Sequence, residues 1–237
     1  MSSNNITLSQ VRLNTSSIFP NFAVTGTLVG IGQLIQGRNT IFIKFIVADE
    51  NSILSATAFN ETAQAFQQSF KIGDTVKLLN PTIVTPRFEL YGLANEAELI
   101  VPTITNVLAT GTDENPKRTL FRHVEFTSMQ VINSTDIRNC NINGNVSMVE
   151  KKGNRLQIGL ISKHDGVPLI IWTTNYVELP EFNIGDEVTV LGAEVYKFNG
   201  AIQVAPKSSS LLMISKKSPI ESMEVEKKKK NKTSSNK

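Results

Sequence analysis

Short apolar runs, each closed by Gly, Asn or Asp, dominate the first 215 residues. Their length and alternation predict strands near 22–31, 40–48, 53–59, 75–84 and 88–94. A second series is predicted near 143–149, 155–162, 167–172, 187–196 and 201–206. The polar turns Asp49-Glu50-Asn51-Ser52 and Lys163-His164-Asp165-Gly166 join the second and third strands of each series as hairpins. Between the third and fourth strands lie the helix-compatible stretches 60–70 and 173–182.

The two series are copies. Phe70-Lys71-Ile72-Gly73-Asp74-Thr75-Val76-Lys77-Leu78-Leu79 returns as Phe182-Asn183-Ile184-Gly185-Asp186-Glu187-Val188-Thr189-Val190-Leu191, 112 residues later. That offset is about one small domain. In each copy an apolar strand ending in an aromatic, Phe59 or Trp172, precedes the Gly-Asp turn, and a strand and hairpin follow it. Five strands with a short helix between the third and fourth is the order of the OB-fold, a partly open Greek-key barrel. The expected architecture is all-β, with two tandem OB barrels. The boundaries read as a flexible N-terminus at 1–9, a first barrel at 10–105, a linker at 106–122, a second barrel at 123–215 and a disordered Lys-rich tail at 216–237.

Composition narrows the classes. Hydrophobic residues make up 40% and charged residues 19%, as in a folded globular chain. No run of 18 or more apolar residues predicts a membrane helix, and MSSNNITLSQ lacks a secretory layout. Cys140 is the single cysteine, so neither an internal disulfide nor a cysteine zinc cage is expected, and a reducing compartment is. The net charge is +3, but residues 216–237 alone carry +5, which leaves the rest at −2. Any nucleic-acid site in the folded part must then come from a local patch.

Several strings resemble the large subunit of replication protein A. Asp49-Glu50 followed by Ala56-Thr57-Ala58-Phe59-Asn60-Glu61 is similar to that family's first central DNA-binding domain. Val124-Glu125-Phe126, Leu169-Ile170-Ile171-Trp172 and Lys197-Phe198-Asn199-Gly200 resemble the second, in order, and the likeness spans residues 10–215. It implies single-stranded DNA held on two aromatic platforms per barrel, one ending strand three and one on the last hairpin. By motif these are Phe59 and Phe88 in the first barrel, with Leu90 or Tyr91 as alternatives to Phe88, and Trp172 and Phe198 in the second. A strand Phe is by default a core residue. Trp172 departs from that default because it ends an apolar run ahead of Thr173-Thr174, and Phe59 likewise abuts Asn60-Glu61. Candidate phosphate partners are Arg38, Arg87, Lys151, Lys152, Arg155 and Lys197, grouped in loops that flank an OB groove. The family's Arg in the strand leading to the Ala-Thr-Ala-Phe segment is Ser55 here, and the Val149–Arg155 loop is shorter than usual.

No catalytic constellation stands out. His123 and His164 have no neighbouring ligand at metal spacing, and Asp49-Glu50 suits a tight turn. No phosphate-binding Gly-rich loop is present. The expectation is a protein without enzymatic activity, cofactor, zinc or membrane partner. It would coat and protect unwound single-stranded DNA in replication, repair or recombination, alongside other proteins of those pathways. Lys227-Lys228-Lys229-Lys230 with Lys232 is readable as a nuclear import signal, which places the chain in the nucleus. The alternative is an OB-fold adaptor of meiotic or telomeric type that binds protein partners and touches DNA weakly, a reading the near-neutral folded part favours.

Overall fold

The repeated Gly-Asp segment shows why both halves fold alike. Gly73 and Gly185 take φ of 101° and 94°, which a Cβ would strain. Their N–H groups donate to the first strand of each barrel, at Leu28 O (2.8 Å) and Val146 O (2.7 Å). The aspartate that follows accepts from the N–H three residues back, Asp74 from Lys71 (2.9 Å) and Asp186 from Asn183 (2.8 Å). The strongest repeat in the sequence is thus a turn that ties the fourth strand to the first.

A computed structural model describes residues 4–13, 21–86, 97–134 and 136–217. The first half comprises β1 (Asn4–Ile6), α1 (Leu8–Leu13), β2 (Phe22–Ile31), β3 (Ile35–Gln36), β4 (Ile41–Ala48), β5 (Ile53–Phe59) and α2 (Asn60–Ser69), then β6 (Asp74–Leu79), β7 (Thr82–Val84), β8 (Glu98–Val101) and β9 (Val107–Thr112). Its strands are ordered β7-β8-β5-β4-β2-β6-β9, with β8 parallel to β5. Asn80, at φ 48°, and Pro81 interrupt one long strand into β6 and β7, so this order closes on itself. The second half holds α3 (Pro116–His123), α4 (Met129–Ser134), β10 (Asn139–Lys152), β11 (Arg155–Ser162), β12 (Asp165–Trp172), β13 (Glu187–Phe198), β14 (Ala201–Ala205) and β15 (Leu211–Ser215). The circuit β10-β11-β12-β14-β13 returns to β10. The chain is all-β, with two tandem OB-like barrels.

The structure departs from the sequence reading at several places. Residues 4–6 are not a free end: β1 pairs parallel with β2, and Leu8 and Val11 of α1 are buried in the first core. Thr7 and Gln10 cap that helix reciprocally, through Gln10 Oε1 on the Thr7 N–H (2.8 Å) and Thr7 Oγ1 on the Gln10 N–H (3.2 Å). The expected linker is ordered. Val107–Thr112 pairs with β6, and Pro116 pre-sets the first turn of α3. A strand at 98–101 runs parallel beside β5, and the predicted strand at 88–94 lies outside the described residues. The second barrel lacks the predicted helix. Only a single 3-10 turn, Thr173–Asn175, forms, because Pro180 disfavours helical backbone at Leu179 and removes a donor. Tyr176, Leu179 and Phe182 pack against the core there instead. Lys216 and Lys217, assigned to the tail, are fastened to Asp186, and residues 218–237 lie outside the described residues.

Each barrel has its own core. In the first, Phe45 stacks on Phe66 of α2 at 4.1 Å between ring centroids. In the second, Ile142, Ile158, Leu169, Val190 and the Cys140 thiol fill the interior. Burial pushes that thiol up to about 12, so Cys140 acts as a packing residue. A third apolar cluster joins the barrels. Val29, Ile46, Ala48 and Ile53 of the first meet Leu191, Leu211 and Met213 of the second, with Leu120 and Val124 between them. Gly30 permits this approach, since a Cβ there would lie 2.9 Å from Met213 Sδ. Lys117 adds an ion pair to Glu187 at 2.5 Å.

Two outcomes follow for stability. Leu120→Ala should cost about 2–5 kcal/mol in denaturant unfolding, as for other buried leucines. Burial pushes the Asp186 carboxyl up, but the N–H groups of Asn183 and Lys217 and the Lys216 ammonium outweigh it and hold the group below its ordinary value of 3.8. A lowered folded pKa contributes stability that is complete above the unfolded value and lost as pH falls through the folded one. Asp186→Asn should therefore lower stability at neutral pH and flatten its decline in urea titrations carried down to about pH 2.

Candidate nucleic-acid interface

On the second barrel, the outer faces of β11, β12, β13 and β14 line a cleft of about 450 Å³. Strand alternation puts Ile170 and Trp172 of β12 on the same face, as it does Glu194, Tyr196 and Phe198 of β13. Arg155, Gln203, Ala205, Pro206 and Lys207 complete the lining. Trp172 and Phe198 remain 50% and 52% exposed, so their ring faces are available to a ligand. Both are held at fixed ends. Thr173, next to Trp172, donates its N–H to Asn154 O (2.9 Å), tying the end of β12 to the β10–β11 hairpin. Phe198 enters the Asn199-Gly200 turn, whose φ values of 50° and 80° suit a tight two-residue hairpin.

Of the cations expected from the sequence, Arg155 enters this cleft; it pairs across the strands with Trp172 and donates to Gln157 Oε1 at 3.3 Å. Burial raises the Tyr196 pKa, with Arg155 opposing and Glu194 reinforcing the shift, which places both charges around the Tyr196 ring. Lys197 points away, since it alternates with Tyr196 and Phe198 along β13. Lys151 and Lys152 are exposed on the β10–β11 hairpin, and Lys152 pairs with Glu150 at 2.8 Å.

In the first barrel Phe59 is 39% exposed at the end of β5. Asn60 follows at φ 49°, and its side-chain oxygen accepts the Ile41 N–H (3.2 Å), which pins that strand end to β4. Phe42, directly across from Phe59, sits 6.2 Å away, ring to ring. Phe42 also packs against the second barrel, where Ile35 bridges to Tyr176 and Val177 donates to Leu34 O at 3.0 Å. Arg38 is exposed on the Gly37–Thr40 turn. Arg87 and Phe88 lie outside the described residues, as do Leu90 and Tyr91.

Tyr196, Gln203, Glu194, Lys207 and Phe42 escaped the sequence reading. Counting two residues back from Phe198 would have found Tyr196, because both share one strand face. The first barrel also hides a polar group at its outer face. Lys44 and Glu98 form a buried ion pair at 2.8 Å, and Thr57 Oγ1 donates to the same carboxylate.

The sequence matches no family model and no curated protein. Solved structures of similar fold include a replication protein A heterotrimer bound to single-stranded DNA, at 13% identity and a TM-score of 0.58. The match covers 84% of this chain and 50% of that one, so the chain spans half its length. The Ifi202 HINa domain in complex with 20 bp of duplex DNA matches at 11% identity and a TM-score of 0.51, covering 82% and 96%. The p202 HIN1 domain with a 12-mer duplex matches at 11% and 0.50, covering 85% and 98%. At such identities the likeness defines architecture alone: this is a protein of the tandem OB-like class.

Lys44→Met should strand the Glu98 carboxylate in a buried site and cost about 3–5 kcal/mol of stability. Replacing both residues with Met should recover most of that loss, as thermal or urea unfolding would report.

Proposed function

We propose that the chain is a non-enzymatic single-stranded DNA-binding protein, which coats unwound strands in replication, repair or recombination within the nucleus. The observation that carries this reading is the second-barrel cleft, where two half-exposed aromatic faces stand beside Arg155 and Lys207. Exposed single strands offer flat base faces and a charged backbone, and such a cleft matches both. Phe59 and Phe42 give the first barrel an aromatic surface of its own, next to the Ile35–Tyr176 junction. A strand crossing both barrels would meet them in a fixed relation, because the shared apolar cluster leaves no free tether between them.

Duplex DNA is a second reading, favoured by the HIN-domain complexes of similar architecture. The cleft argues against it, since bases stacked within a duplex cannot reach Trp172 or Phe198 without being flipped out. The protein-adaptor reading draws on the charge of −2 outside the tail.

As the chain's single tryptophan, Trp172 reports on this site. Single-stranded oligonucleotides should quench its emission and duplexes of equal length should not. Trp172→Ala should weaken binding by ~1–3 kcal/mol. Tight binding with unchanged emission would move the site elsewhere, and no binding to either form would favour the adaptor.

A further inference from the structure

The two barrels differ at matched positions on their outer faces. Phe42 faces Phe59 as Arg155 faces Trp172, so Lys44 corresponds to Gln157 and Thr57 to Ile170. The parallel pairings Ala56 with Leu99 and Leu169 with Val204 then align Glu98 with Gln203. In the first barrel the acceptor at this place is satisfied internally, by the Lys44 ammonium and the Thr57 hydroxyl. In the second, both partners are gone. Ile170 offers no hydrogen bond, and Gln157 is engaged by Arg155. Gln203 is 8% exposed as a residue, and its carboxamide, which meets no hydrogen-bonding partner among the described residues, opens to the cleft that Trp172 and Phe198 also line.

An amide open to the cleft keeps its donor and its acceptor for whatever enters. A carboxamide presents one acceptor beside one donor group, which matches the edges of adenine, cytosine and thymine bidentately, so the choice among them falls to the neighbouring carboxylate. Glu194 lies two residues from Tyr196, the cross-strand partner of Gln203, on the same cleft wall. Its carboxylate is acceptor-only when ionised, so it favours an exocyclic amino group and disfavours the carbonyl oxygens of thymine.

We propose that Gln203 reads the edge of a base seated in the second-barrel cleft and, with Glu194, selects adenine or cytosine over thymine. This rests on the cleft being the single-stranded DNA site. The first barrel, with its acceptor closed by Lys44, has no equivalent reader at this position.

The test uses the full chain with dA, dC and dT oligonucleotides of equal length, followed by Trp172 emission. Wild type should prefer dA or dC over dT by about tenfold. Gln203→Met should remove about tenfold of affinity for the preferred strands, leave dT affinity and the salt slope unchanged, and keep the melting temperature at or above wild type. Glu194→Gln should narrow the preference. Comparing variant with wild type on each strand cancels the differing stiffness of the three oligonucleotides. An equal loss on all three strands, no loss on any, or a lowered melting temperature for Gln203→Met would overturn the assignment while leaving DNA binding intact. Failure of every strand to bind would overturn both the reader and the DNA site.

Discussion

Leu211 and Met213 of the second barrel press onto the first where Gly30 and Gly32 leave the surface without side chains. Much else depends on that contact. It closes an apolar cluster fed by both barrels and by Leu120 and Val124, so α3 serves as a wedge in a common interior. The Ile35–Tyr176 bridge and the bond from Val177 to Leu34 form a second junction beside the aromatic surface of the first barrel. Two junctions constrain relative rotation far more than one, and the outer faces are held in register as a result.

The duplicated framework diverges where it meets a ligand. Both copies keep the positive-φ glycine and the aspartate cap, because barrel closure needs the fourth strand tied to the first. Neither feature touches the cleft. The outer faces carry the differences: an aromatic pair over a buried ion pair in the first barrel, and an open groove with an unpartnered amide in the second. A buried ion pair loses most of its field to its own partner, whereas an unpaired amide keeps both its donor and its acceptor for whatever enters.

Much of the framework was legible from the chain alone. Alternation and turn residues are local signals, so β2, β5 and β11 lie where the pattern put them, and the decapeptide repeat announced two similar barrels. The exposure of Trp172 and Phe198 was readable from their position at strand ends beside polar turns. Local signals misled where tertiary contacts took over. The stretch at 107–112 read as part of a linker because polar, Pro-bearing residues follow it, yet it finds hydrogen-bond partners along β6. Helix-compatible residues after Trp172 stay mostly irregular because Pro180 blocks propagation and the core accepts Tyr176 and Phe182 directly.

The sequence by itself determined where most strands lie along the chain, the duplication and the places where aromatic rings end strands, since each is written in short local patterns. Only the tertiary structure decided which side chains share the cleft and which turn from it. Lys197 and Phe198 are adjacent in the chain, but the pleat sends them to opposite faces. Gln203, Glu194 and Arg155 come together from three strands through barrel closure. That closure is a non-local condition on register, and no window of the sequence contains it.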